Sequence, residues 1–107
     1  AGAWLDSTVV CSDVIEHVAR PEVLLRQLRA ALEAGAAAVL LSTPERDLTR
    51  GVQDPGPPRN RAHVREWSIR EFDALLAENG FLLRSTGLTR SNDATSALAT
   101  ILSVTAG

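Results

Sequence analysis

The stretch over residues 7–18, STVVCSDVIEHV, most constrains what this chain can fold into. A run of strand-forming residues, Thr8-Val9-Val10-Cys11, stops at the polar pair Ser12-Asp13, and Glu16-His17 follow within one turn. β-Branched side chains fit a pleated, half-buried surface. Continuous apolarity, rather than alternation, predicts a strand covered on both faces, as in a parallel sheet. Such a strand over residues 8–12 delivers its polar end to the rim of the sheet. Residues 13–19 are then a loop or a single helical turn.

Residues 21–44 supply a helix and the partner strand. Pro21 suits the first turn of a helix, where its missing N–H costs nothing. Leu24, Leu28, Ala31 and Leu32 recur at helical spacing and predict the buried face. Glu22, Arg26, Arg29 and Glu33 point elsewhere, and Gly35 ends the helix. Val39-Leu40-Leu41-Ser42-Thr43 is a second apolar strand, stopped by Pro44. Strand, helix and strand with short joints make a βαβ unit with a right-handed crossover.

Residues 45–66 hold Gly51, Pro55, Gly56, Pro57 and Pro58, so neither a continuous helix nor a strand is predicted there. A connection this long in a compact domain is commonly functional, and a lid or substrate loop is the expected role. Ser68-Ile69-Arg70-Glu71 reads as a capping box, with Trp67 and Phe72 as its hydrophobic staple. Ile69, Phe72, Leu75 and Leu76 form the predicted buried face of the helix, which Gly80 closes. Strands are predicted over residues 81–86 and 99–104. The turn expected at residues 90–94 makes this pair antiparallel.

Composition narrows the class of partner. A chain of 107 residues makes at most one domain with a modest core. A net charge of -2 and a pI of about 5.6 leave no global basic field, so no nucleic-acid partner is expected. There is no 18-residue apolar run and no signal-peptide pattern, so no membrane partner is expected. The single Cys11 has no partner for an internal disulfide, which makes a reducing cytoplasm the expected compartment. The chain lacks Met and opens at Ala1, close to a strand, so further residues are expected in front of it.

The order of elements and several local words resemble the C-terminal half of a class I S-adenosylmethionine-dependent methyltransferase. Val9-Val10-Cys11-Ser12-Asp13-Val14-Ile15-Glu16-His17 is similar to the segment that follows the fourth strand of that family. Ser42-Thr43-Pro44 and His63-Val64-Arg65-Glu66-Trp67 recur in the same order. The segment from Thr43 to Arg50, with Gly56-Pro57-Pro58-Arg59-Asn60 and His63 to Trp67, resembles a small-molecule subgroup associated with glycosyltransferases. The resemblance implies an α/β fold: two parallel strands with a crossover helix, then a helix and an antiparallel strand pair. It implies that residues 1–107 are a partial domain without the glycine-rich, cofactor-binding N-terminal half. The exposed edge of the first strand is then a site of self-association, giving a possible homo-oligomer.

Ligands of open α/β sheets bind outside the carboxyl ends of strands. Cys11, Ser12, Asp13 and Val14 occupy such an end, and the resemblance implies that they contact the methionine part of S-adenosylmethionine. Asp13 as a simple cap and Cys11 as a small buried hydrophobe are the structural alternatives. His17 and His63 are the candidate general bases for an acceptor hydroxyl, since histidine titrates near neutrality. Glu16, adjacent to His17, diverges from it on a helix by about 100° and is expected to orient an acceptor or a loop. His63 and Glu66 share a face if helical. Glu66 and Arg46 are expected to hold the acceptor or pair with each other. Glu16, His17 and His63 are also metal-binding residue types, but without HExxH or CxxC spacing no metal is assigned. The expected activity is methyl transfer to a small-molecule acceptor, a hydroxyl of a sugar or related metabolite. The alternatives are a non-catalytic α/β interaction module or decayed half-domain and, further off, a metal-dependent hydrolase.

Overall fold

The computed structural model describes residues 4–47, 56–58, 63–90 and 99–106, with backbone only for Arg90, Ala99 and Ala106. Residues 48–55 and 59–62 of the irregular segment, and residues 91–94 of the expected turn, lie outside the described residues. Among the described residues, the strands and α-helices run in the order β1 (Thr8–Ser12), α1 (Pro21–Glu33), β2 (Ala38–Pro44), α2 (Ile69–Glu78), β3 (Leu82–Arg90) and β4 (Ala99–Ala106). They form one four-stranded sheet in the order β1-β2-β4-β3. β1 and β2 are parallel with Cys11 opposite Leu41 and Ser12 opposite Ser42, so both strands end on the same rim. β4 inserts antiparallel between β2 and β3. The βαβ unit and the final antiparallel pair are those predicted.

The strands have different limits from those expected. β3 continues past Thr86 through Gly87 to Arg90, because from Ser85 onward each of its residues pairs in turn with β4. A register shift between Leu83 and Ser85 absorbs a bulge in that ladder. β4 runs on to Ala106 because Val39 of β2 pairs with Thr105, and Leu82 of β3 with Ala106.

One face of the sheet carries the core. Cys11, Val39, Leu41 and Ile101 are buried there with Leu25, Leu28 and Leu32 of α1 and Phe72 and Leu76 of α2. Burying a large apolar side chain stabilises by about 1.5–3 kcal/mol, so these residues dominate the packing. The Thr105 hydroxyl is also buried on this face and donates to the Val39 carbonyl at 3.2 Å. The predicted face of α1 is rotated by part of a turn: Leu25 is fully buried at its centre, and Leu24 lies half-buried at its flank. Leu24 and Leu25 are both apolar and adjacent, so spacing alone does not decide between them.

The other face is open, which corrects the expectation that β1 is covered on both sides. Val10 is 62% exposed, and its neighbours Leu40 and Val104 are only half-buried. The described elements supply no helix for that face, since both α1 and α2 join the single core on the opposite one.

The helix boundaries follow local chemistry. The Ser68 hydroxyl accepts from the Glu71 amide at 3.2 Å, and the Glu71 carboxylate accepts from the Ser68 amide at 2.9 Å, completing the predicted capping box. Trp67 and Phe72 pack with ring centroids 5.6 Å apart, forming the staple. Gly35 and Gly80 follow the two helices with φ of +113° and +84°, a conformation costly for residues with a Cβ. No helix among the described residues is long and apolar enough to cross a membrane.

Candidate functional site at the carboxyl rim of the parallel strands

The rim is built by the ends of β1 and β2. The Ser12 and Ser42 hydroxyls lie 2.8 Å apart, and the Asp13 amide donates to the Ser42 carbonyl at 2.9 Å. That bond extends the parallel pairing one residue beyond β1. Asp13 then turns the chain with φ of +54°, a left-handed conformation that Asp tolerates better than most residues. Ser12, Asp13 and Val14 are exposed at this turn. Cys11 is different: its side chain is buried in the core, and burial, with Glu16 nearby, pushes its thiol pKa up. The thiol is therefore a protonated core group rather than a nucleophile.

Beyond Asp13 the chain forms a single 3₁₀ turn, Ile15–His17. Fully buried Ile15 anchors it to the core. The turn carries Glu16 inward, to 1% exposure, and leaves His17 outward. The two adjacent residues thus differ in burial. Oε1 of Glu16 has no hydrogen-bond partner among the described residues. Desolvation is the chief cause that raises the Glu16 pKa. Asp13 raises it further, while a bond from its own amide and the neighbouring His17 and His63 work against the shift.

The segment at residues 63–66 returns to this turn from across the irregular connection. Val64 and Arg65 both donate their amides to the Glu16 carbonyl, at 2.6 and 3.4 Å. This backbone clamp brings the His63 ring edge-on to the His17 ring, with centroids 4.8 Å apart. His63 Nδ1 lies 2.7 Å from Glu66 Oε2. Residues 63–66 are not helical, so this pair meets through the bend of the strap rather than through helical spacing. One metal-capable atom from each of Glu16, His17 and His63 lies within 4.8 Å of the others. Sequence spacing assigns no metal here because Glu16-His17 and His63 belong to distant segments; only the fold brings them together.

Arg46 is engaged elsewhere than in the expected pair. Its guanidinium is 2.8 Å from Glu71 and 3.4 Å from Asp47. The capping amide of Ser68 and the Arg46 guanidinium both hold the Glu71 carboxyl below the usual range. Arg46, Glu66 and Glu71 nevertheless line one cleft of about 650 Å³, which Pro57, Pro58 and Val64 also border. Neither histidine lines it, but their chain neighbours Val18 and Val64 do, and it is large enough for a small molecule.

Two polar residues here escape sequence reasoning. Glu45 is buried, and its Oε1 accepts from the Ile69 amide at 3.2 Å, so a carboxylate satisfies the N-terminus of α2. The adjacent Arg46 amide donates to the Trp67 carbonyl at 2.7 Å, which seals β2 to the staple. Thr43 is fully buried at the end of β2, and its hydroxyl has no hydrogen-bond partner among the described residues. No local pattern marks either residue; their roles depend on which segment crosses β2.

A parallel βαβ unit whose polar groups collect at the carboxyl ends of its strands, extended by an antiparallel pair, defines an α/β ligand-binding domain of the Rossmann-like class. Residues 7–86 match the family described as "Methyltransferase domain", and the chain belongs to that family. S-adenosylmethionine is the methyl donor of such domains. Among solved structures, the chain is similar to small RNA methyltransferase HEN1, with a TM-score of 0.69 and 17% identity over 94% of this chain and 13% of that one. It is also similar to the methyltransferase domain of bacterial CtHen1, with a TM-score of 0.54 and 20% identity over 94% of this chain and 53% of that one. For methyltransferase CalO6 the TM-score is 0.52, with 19% identity over 91% of this chain and 34% of that one. At these identities the likenesses establish the fold alone, and the chain spans about half or less of each of the three. A comparison with curated proteins returned no match.

Proposed function

We propose that this chain is the C-terminal part of a domain that transfers a methyl group from S-adenosylmethionine to a hydroxyl of a small-molecule acceptor. The observation that carries the reading is the His17–His63–Glu66 arrangement, held at the carboxyl rim of the parallel strands with Glu66 in the wall of the cleft. A base within reach of an acceptor hydroxyl, itself oriented by a carboxylate, is the geometry that general-base catalysis requires. His63 takes the acceptor proton, and Glu66, on the other ring nitrogen, fixes the tautomer and stabilises the resulting imidazolium. His17 packs edge-on and holds the His63 ring in place. The acceptor oxygen forms a bond to the methyl carbon as the carbon–sulfur bond breaks, and alignment supplies most of the acceleration.

The described residues fit one wall of the donor site. Exposed Ser12, Asp13 and Val14 would meet its methionine part, Cys11 contributing backbone only, and the Ser12–Ser42 contact keeps the two strand ends in register. Bound there, the donor supplies an electrophilic methyl group. Arg46, Glu16 and Glu66 would order the acceptor and its loop, Arg46 acting from its ion pair with Glu71. A sugar or related hydroxylated metabolite is the acceptor preferred on the glycosyltransferase-associated resemblance. The reducing cytoplasm is the matching compartment.

The test is calorimetry with S-adenosylmethionine on a chain extended upstream to include a glycine-rich turn, followed by transfer of labelled methyl to a panel of hydroxylated acceptors. The extended chain should bind the donor and the 107-residue chain should bind it poorly; no binding by the extended chain would overturn the proposal. A second reading, a non-catalytic module that pairs through the β1 edge, is favoured by the outer position of β1 in the sheet. Light scattering separates the two: a stable dimer whose donor binding the extension does not rescue supports the module.

A further inference from the structure

We propose that Glu16, His17 and His63 form the binding site for one divalent first-row transition-metal cation. Three observations carry this, and none of them depends on a methyl donor. First, one ligand-capable atom from each of the three residues lies within 4.8 Å of the others. Ligands about 2.0–2.2 Å from a tetrahedral metal lie about 3.4 Å from each other, so the approach still needed is at most about 1.4 Å. His17 is exposed and lies outside the core, so closing the site does not require the core to repack.

Second, the site is built before any ion arrives. Glu16 and His17 sit on a 3₁₀ turn fixed by buried Ile15. The strap bearing His63 is clamped to that turn by the Val64 and Arg65 amides on the Glu16 carbonyl. His63 Nδ1 is 2.7 Å from the Glu66 carboxylate, an arrangement that orients Nε2 for a metal and raises its basicity. Third, Glu16 is 1% exposed, and its Oε1 has no hydrogen-bond partner among the described residues. A buried carboxylate costs free energy unless it is paired or coordinates a metal. A cation between Glu16 and the two imidazoles meets that cost.

Two imidazoles and one carboxylate form a borderline donor set, suited to Zn²⁺ and neighbouring divalent ions rather than to Ca²⁺ or Mg²⁺. Three protein ligands leave at least one coordination position for water or substrate, the pattern of a catalytic rather than a structural site. Exposed His17 places that position on the solvent side, toward the rim. One consequence rests on the methyl-transfer reading: a cation there lowers the pKa of a bound acceptor hydroxyl, and His63 then serves as a ligand rather than as the base. Transfer would then stop on chelation.

The site itself is tested without donor or acceptor. The chain, prepared without a polyhistidine tag and freed of metal by chelation, is titrated with ZnCl₂ by calorimetry and with MnCl₂ by electron paramagnetic resonance. One ion should bind per chain. Glu16→Gln, His17→Ala and His63→Ala should each weaken binding at least tenfold, and Glu66→Gln by about 10–100-fold through loss of the support to His63. In the unsubstituted chain, electron spin-echo modulation from imidazole nitrogen on bound Mn²⁺ reads the ligands directly, whatever the folding of the variants. Saturable binding of neither ion, affinity unchanged by any one of the three ligand substitutions, or bound Mn²⁺ without imidazole modulation would overturn the site. Because donor binding to the extended chain is measured separately, failure of the metal site and failure of the methyl-transfer reading remain distinguishable.

Discussion

Replacing Glu16 by Gln should make the metal-free protein more stable at neutral pH. Glu16 is 1% exposed, its Oε1 has no hydrogen-bond partner among the described residues, and burial is the largest cause of its raised pKa. A buried polar group left unsatisfied costs about 1–3 kcal/mol, and more when it is charged. The amide bond of Glu16 and the neighbouring His17 and His63 return part of that cost, while Asp13 adds to it. The part of that penalty due to the charge is then about 1–2 kcal/mol; the isosteric, uncharged Gln removes this part and keeps the neutral one. In a domain of this size that corresponds to a rise in Tm of about 5–10 °C.

The sign follows from linkage. A carboxylate whose pKa is raised by folding contributes fully below its unfolded value. That contribution is lost as pH rises through the folded value. The stability of the parent chain relative to Glu16→Gln should therefore fall as pH climbs from the ordinary glutamate range through the raised pKa. The assay is urea unfolding of both chains in excess chelator, repeated at several pH values from about 4 to 8. A parent chain that gains stability over Glu16→Gln as pH rises in this range would refute the reasoning. The same substitution is expected to weaken metal binding at least tenfold, so this residue would trade stability for function.

Two further predictions address the frame that holds the site. Ser68→Ala removes one half of the reciprocal cap on α2 and should cost about 1 kcal/mol in chemical denaturation. A loss below a few tenths would mean that Glu45 and Glu71 alone satisfy the helix start. Leu25→Ala opens a cavity at the fully buried centre of the α1 face and should cost about 2–5 kcal/mol, whereas Leu24→Ala at the half-buried flank should cost distinctly less. Equal losses in the two variants, read from thermal or urea midpoints, would contradict the observed rotation of α1.

Local chemistry determines much of this protein in advance. Thr8 to Cys11 followed by Ser12-Asp13, Pro21 and Gly35 around an apolar helical face, and Ser68 with Glu71 are short-range instructions. Each satisfies or terminates backbone hydrogen bonds within a few residues, so each is readable without the fold. The family is legible for the same reason: its motifs sit at strand ends and helix caps. Tertiary structure decided what no local pattern can. Helical spacing admits both Leu24 and Leu25; packing in the core chose Leu25. Apolar continuity suggests that β1 is covered on both faces, but burial depends on what arrives from elsewhere, and α1 and α2 both pack on one face. Above all, His63 is far from Glu16 and His17 in sequence. It reaches them because the Val64 and Arg65 amides find the Glu16 carbonyl left open by a one-turn helix. A site assembled by hydrogen bonds between distant segments leaves no spacing in the sequence, which is why its members are legible singly and their union only in three dimensions.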